Sequence, residues 1–270
     1  MEATPVSPSP AAAQALSGAA APIAARAPRG PLWEGAVNAR DLGGTGTVVP
    51  GCLYRMGRHE WLTATGWDQA WDQGVRTVID LRNPFELGRR QADPVVEPGV
   101  LERFSVLNLP TEDRSDEEFL ALTGPYLSSP EHYRENLDRW PAKFAEIVRA
   151  VISAPPGGVV IHCAAGRDRT GMVVALLLDA VGVPHAAIVE DYAAAVRAIN
   201  DRYRTQEVPH ERPRSDEELD VWLAHTRAHL AEFLAALDAG RFLADAGVSD
   251  RDLRLLRERL TGPGPVPCRP

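Results

Sequence analysis

The chain has 270 residues, 44% of them hydrophobic and 24% charged, a globular balance that excludes collagen, wholesale disorder and a disulfide-dense miniprotein. Its formal net charge of −8 opposes non-specific binding to nucleic acid or anionic lipid, so an anionic substrate requires a locally positive pocket. The three cysteines, Cys52, Cys163 and Cys268, are too scattered for a disulfide framework, and no apolar run approaches the ~20 residues of a membrane span; together these predict a cytoplasmic protein with no integral span.

In chain order, residues 1–30 are Ala, Pro and Ser with almost no large apolar side chain, which predicts a disordered tail. Its Met1-Glu2 start and the interruptions at Pro5, Pro8 and Pro10 do not fit a secretory signal. Residues 31–262 then read as one domain, with 263–270 as a frayed, Pro-rich end. Short β-branched runs at 75–81 and 159–162 predict strands, and both end in polar residues. Between them, Tyr133, Leu137, Trp140, Phe144, Ile147, Val148 and Val151 recur at helical spacing, predicting one amphipathic helix with Ser129 as cap and Pro130 in its first turn. Two Ser-Asp-Glu-Glu tetrads, at 115–118 and 215–218, predict capping boxes at two further helix starts. Alternating strands and helices predict an α/β fold, a sheet flanked by helices whose ligand lies outside the carboxyl ends of its strands.

The segment 162–171, His-Cys-Ala-Ala-Gly-Arg-Asp-Arg-Thr-Gly, joins the second strand to an apolar helix over 172–180. A strand-to-helix turn built of Ala164, Ala165 and Gly166 is slim enough for successive backbone N–H groups to converge on an anion at the positive end of a helix. Cys163 at that point loses its proton readily and becomes a nucleophile, Arg169 grips two phosphate oxygens in a fork, and Thr170 is placed to donate to the thiolate.

This loop resembles the signature of the cysteine-dependent protein tyrosine phosphatases, and more narrowly the bacterial atypical members with His-Cys-x-x-Gly-Lys-Asp-Arg-Thr-Gly. Residues 38–44, 53–55, 77–82 with Glu86, and 243–249 with Leu253 and Leu256 are similar to that narrower family too, so the likeness spans about residues 32 to 260. The family's loop lysine is replaced here by Arg167, in a chain whose sole lysine is Lys143. Since that lysine is linked to phosphoinositide handling, the substitution bears on substrate breadth. The resemblance implies a cysteine-phosphatase-like sheet with a phosphate loop, a helical lid, and a metal-independent phosphatase that forms a phosphocysteine, acting foremost on protein phosphotyrosine. Phosphoinositide or dual-specificity phosphatase and phosphate-binding pseudophosphatase stand as alternatives.

The resemblance implies that Cys163, Asp168 and Arg169 are catalytic, with Asp168 the general acid, and that Ala164, Ala165, Gly166, Arg167 and Thr170 bind substrate. His162 and Asp80 are supporting residues; Asp80 at its strand end fits an acid, a partner that orients Arg169, or a structural ion pair. No cofactor or metal is expected, and the partner is a phosphorylated protein or a phospholipid headgroup. The 38–44 segment reads as a turn held by Arg40 and Asp41. His225 and His229 lie four apart as metal ligands can, but no third ligand is evident and the pair reads as a solvated helix face. The apolar spacing from Leu219 to Leu237, after a polar stretch at 200–214, fits either core packing or the lid.

Overall fold

The computed structural model describes residues 33–124, 127–207 and 209–262. The two predicted tails, 1–30 and 263–270, lie outside the described residues. In chain order the elements are β1 (Arg40–Asp41), β2 (Leu53–Met56), α1 (Ala64–Asp72), β3 (Val75–Asp80), α2 (Pro98–Leu101), β4 (Ser105–Asn108), α3 (Glu117–Thr123), α4 (Tyr133–Arg139), α5 (Pro141–Ser153), β5 (Gly158–His162), α6 (Asp168–Ala180), α7 (His185–Arg204), α8 (Asp216–Ala236), α9 (Ala239–Asp245) and α10 (Asp250–Thr261).

The sheet has the order β1-β2-β5-β3-β4; β1 is antiparallel to β2 and the other pairings are parallel. Strands β2 and β5 are buried throughout, as parallel strands covered on both faces must be. Alternation sorts their side chains: Tyr54, Val78 and Val160 join Trp33, Trp67 and Phe104 in one core, whereas Leu53, Ile79 and Ile161 join residues of α5, α6, α7 and α8 in the other. The predicted mixed α/β fold, a central sheet flanked by helices, is the one observed. Register brings Met56 and Asp80 opposite His162, and Asn108 opposite Asp80, so the carboxyl ends of four strands meet in one row.

Two helix expectations are corrected. The amphipathic pattern from Tyr133 to Val151 is two helices: Pro141 lacks an N–H and drives Trp140 out of the helical region, to φ −130° and ψ 52°, so α4 stops and α5 begins. At 115–118 the cap is Asp116, which accepts from the Phe119 N–H at 2.8 Å, while the Ser115 hydroxyl donates to Asp113. The tetrad at 215–218 does form the reciprocal box, with Glu218 N–H donating to Ser215 and Ser215 N–H to Glu218. Among the described residues, no helix is long and apolar enough to cross a membrane.

Candidate active site

The loop from Cys163 to Arg167 leaves the end of β5 and turns into α6, and its shape is set by where its carbonyls go. The Ala164 carbonyl accepts from the Arg58 N–H at 2.9 Å; Asn38 Nδ2 donates to the carbonyls of Ala165 (3.2 Å) and Gly166 (2.8 Å). Arg55 donates to the carbonyls of Gly166 (2.6 Å) and Arg167 (3.2 Å). In a planar trans peptide the N–H points opposite to the C=O, so carbonyls pinned outward aim the following amides into the concave side. Among the described residues, the N–H groups of Ala164, Ala165, Gly166 and Arg167 have no protein acceptor, which leaves them for an anion. Gly166 sits at φ 68°, and a Cβ there would lie 2.0 Å from the Met56 carbonyl oxygen, so only glycine fits. At Gly171, in the first turn of α6, a Cβ would lie 2.8 Å from the Tyr192 ring and 2.9 Å from the Tyr133 hydroxyl.

The outward pins are themselves anchored. Asp191 of α7 forms ion pairs with Arg40 and with Arg55, and Arg40 also donates to the Asn38 side-chain oxygen. The 38–44 segment is thus more than a turn. Asp41 does hold the turn, accepting from the Gly43 and Gly51 amides, but Asn38 reaches the 163–167 loop itself and Arg40 holds the Asn38 side chain in place. Asn38, Arg55 and Asp191 are supports of the loop that sequence reasoning did not assign; the only signal for the first two was the family-like stretches in which they lie.

Cys163 is 3% exposed and faces the floor of a cleft of about 1090 Å³. His162 is fully buried behind it, with Nδ1 3.1 Å from the Cys163 carbonyl oxygen and Nε2 3.0 Å from His59 Nδ1. Burial pushes the His162 imidazolium down to about 4, with Asp80 opposing only in part, so this ring is neutral near pH 7. Arg169 is gripped end-on by Glu86, at 2.5 and 2.7 Å, and lies 3.5 Å from Glu112. Burial alone would lower the Arg169 guanidinium, but Glu86, Cys163 and Glu112 overcome it and raise its pKa above the ordinary value. Its Nε has no protein acceptor among the described residues, so that edge of the fork remains for a ligand.

Asp168 opens α6. One carboxylate oxygen accepts from Tyr192 at 2.6 Å, the other from Arg167 Nε at 2.8 Å, and its carbonyl accepts from Tyr133 at 2.9 Å. Arg167 turns its two remaining nitrogens to Glu211, at 3.0 and 3.1 Å. Cys163, Ala164, Ala165, Arg167, Asp168 and Arg169 all line the cleft. Its walls also carry Arg58, Arg89, Arg90, Arg114 and Arg202 with Trp61 and Phe85, a basic, aromatic recess in an acidic chain.

Two expectations fall away here, and of the two readings of 219–237 core packing is the one observed. Asp80 does not orient Arg169: it accepts from Arg82 through both oxygens, at 2.6 to 3.1 Å, and Glu86 takes the place beside Arg169. The Thr170 hydroxyl, fully buried, has no partner among the described residues and so does not donate to the Cys163 sulfur. The cleft is roofed on one side by the end of α7 and the stretch after it, through Arg202, Tyr203, Gln206 and Glu211, whereas α8 packs behind as core.

A model described as the tyrosine phosphatase family matches residues 31–262. A tyrosine-protein phosphatase of Nostoc commune is 28% identical over 217 residues, covering 69% of this chain and 66% of the relative. The triple specificity protein phosphatase PtpB of Mycobacterium tuberculosis is 29% identical over 272 residues, covering 84% of this chain and 98% of the relative. With the match running across all the described residues and through the cysteine loop, the chain belongs to the tyrosine phosphatase family of cysteine-dependent phosphatases.

Proposed function

We propose that the protein hydrolyses phosphate monoesters through a phosphocysteine on Cys163, with protein phosphotyrosine as its main substrate class. The observation that carries this reading is the loop whose carbonyls are all tied outward around a cysteine at the floor of an arginine-lined cleft. The Cys163 sulfur attacks phosphorus in line, forming the P–S bond as the bond to the leaving oxygen breaks. Amides of 164–168 and the Nε edge of Arg169 hold charge on the equatorial oxygens, with Glu86 fixing that edge in place. Asp168 gives its proton to the leaving oxygen, then takes one from the water that cleaves the P–S bond.

Trp61 and Phe85 offer flat apolar walls that suit a phenyl ring above the loop. A second reading, a phosphoinositide or dual-specificity phosphatase, is favoured by the arginines farther up the cleft and by the triple specificity in the name of the mycobacterial relative. Under it, a second phosphate at Arg167 must displace Glu211, which already takes both terminal nitrogens. A pseudophosphatase reading is opposed by Cys163, Asp168 and Arg169 standing together in the cleft.

The test is turnover of phosphotyrosine peptide, phosphoserine peptide and soluble phosphoinositide in the presence of a chelator. Fastest turnover is expected on phosphotyrosine, with Cys163→Ser losing about 10³-fold or more while still binding substrate. Activity that survives in Cys163→Ser overturns the covalent mechanism, and a leading rate on the phosphoinositide overturns the substrate assignment.

A further inference from the structure

His225 and His229, which lacked a third ligand in the sequence, acquire one in the fold. Helix α8 is continuous through both, so the imidazoles stand one turn apart with ring centroids separated by 4.3 Å. The 3₁₀ turn Pro130–His132 packs against α8 and presents Glu131, and one ligand atom from each of the three residues lies within 4.8 Å of the others. Among the described residues, neither imidazole nor the Glu131 carboxylate makes a hydrogen bond or ion pair. His59, Asp80 and His162 likewise bring two imidazoles and a carboxylate together, but there the histidines pair with each other at 3.0 Å and Asp80 fills the fork of Arg82. One triad is spent on internal contacts; the other is not.

We propose that Glu131, His225 and His229 bind a borderline divalent cation, Zn²⁺ foremost, outside the phosphate site. Two imidazole nitrogens and one carboxylate oxygen, with water as the fourth ligand, are a donor set that suits tetrahedral Zn²⁺ at bond lengths of ~2.0–2.2 Å. Glu131 and His225 are exposed and His229 half-buried, so the three close on the ion by side-chain rotation without moving the backbone. The ion clasps α8 to the turn that leads into Tyr133. That residue donates to the Asp168 carbonyl at 2.9 Å and meets Phe233 of α8 edge-on, with ring centroids 5.4 Å apart. The clasp therefore stabilises the contact of α8 with the residue that holds the start of α6, and takes no part in phosphoryl transfer.

The experiment titrates Zn²⁺ into metal-free, full-length Cys163→Ser protein, which removes the loop thiol as a competing ligand, against a chromophoric chelator and by thermal melting. One equivalent is expected to bind and to raise Tm by several degrees. His225→Gln, His229→Gln and Glu131→Gln are each expected to weaken binding by roughly tenfold or more and to remove the rise in Tm, while His59→Gln changes neither. Co²⁺ in place of Zn²⁺ reports the geometry independently of stability, through the visible absorption of a four-coordinate site, which disappears in the same three variants. Zn²⁺ affinity and Tm rise that persist in His225→Gln and His229→Gln, or protein that binds no Zn²⁺, overturn the proposal.

Discussion

Two aspartates stand at the carboxyl edge of the sheet, Asp80 at the end of β3 and Asp168 at the start of α6, 2% and 5% exposed and each beside an arginine. Their surroundings separate them. Asp80 gives both oxygens to Arg82 and takes no part in the cleft wall, whereas Asp168 faces the cleft and binds a tyrosine hydroxyl through one oxygen and a shared guanidinium through the other. Burial alone would raise the Asp80 carboxyl, but His162 and Arg82 hold it below its ordinary value, so it carries no proton to donate near neutral pH. Closeness to a nucleophile does not make a general acid. Place in the cleft decides, and it casts Asp80 as support and Asp168 as the proposed acid.

The sharpest way to break that contrast is to remove each carboxylate in turn. Asp168→Asn is expected to lower kcat on phosphotyrosine peptide by about 10²- to 10⁴-fold and to cost less on aryl phosphates with activated leaving groups. Asp80→Asn is expected to spare that leaving-group dependence and instead to destabilise the fold by ~3 kcal/mol, because it breaks a buried pair and leaves Glu60 as the one carboxylate still paired with Arg82 among the described residues. Steady-state kinetics across a leaving-group series and urea melts of both variants give the answer; a leaving-group defect confined to Asp80→Asn reverses the assignment.

A comparable effect comes from the neutral histidine beneath the loop. His162 is neutral in the fold down to about 4, against an ordinary value of 6.5, so the unfolded chain binds the extra proton between those pH values. Stability therefore rises with pH across that window and is fully present above it, with about 3 kcal/mol at stake. Denaturation midpoints at pH 7 and pH 5 measure the slope, which His162→Gln is expected to flatten; an unchanged slope places the proton elsewhere.

The smallest expected effect tests the hydroxyl on Asp168. Tyr192→Phe removes a 2.6 Å hydrogen bond while keeping the ring that presses on Gly171, so a loss of about tenfold or less in kcat, with Tm shifted by only a few degrees, is expected. A change in the pH profile of kcat with an unchanged KM marks Tyr192 as positioning the acid, whereas a fall in Tm alone makes it structural.

Much of this was legible because the information is local. Val159, Val160 and Ile161 form a strand by β-branching, Gly166 is required by a positive φ, and the helix after the loop declares itself through an unbroken apolar run. The single helix expected from Tyr133 to Val151 failed for a local reason as well, since the apolar spacing continues across Pro141 while the backbone cannot. The supports were hidden for the opposite reason. Glu86 meets Arg169 across 83 positions of sequence and Asp191 meets Arg55 across 136, and no periodicity encodes a pairing at such distance. Cys52 precedes β2 where that strand pairs with the start of β5, whereas Cys163 follows the end of β5. The two are several residues apart along the sheet, beyond the ~7 Å that a disulfide spans between Cα atoms.

By itself the sequence determined the α/β class, the order of its chief strands and helices, and a loop chemistry of cysteine, small residues and arginine, because each depends on neighbours within a few positions. Only the tertiary structure decided which carboxylate faces the cleft, which glutamate holds Arg169, that Asn38 and Arg55 turn the loop amides inward, and that Glu131 stands beside His225 and His229. Each of these is a meeting of side chains from separate elements, set by strand register and helix packing. A chain read in one dimension shows what its residues are able to do, but long-range packing chooses the partners, and in a buried site the partner sets the charge, the orientation and so the chemistry.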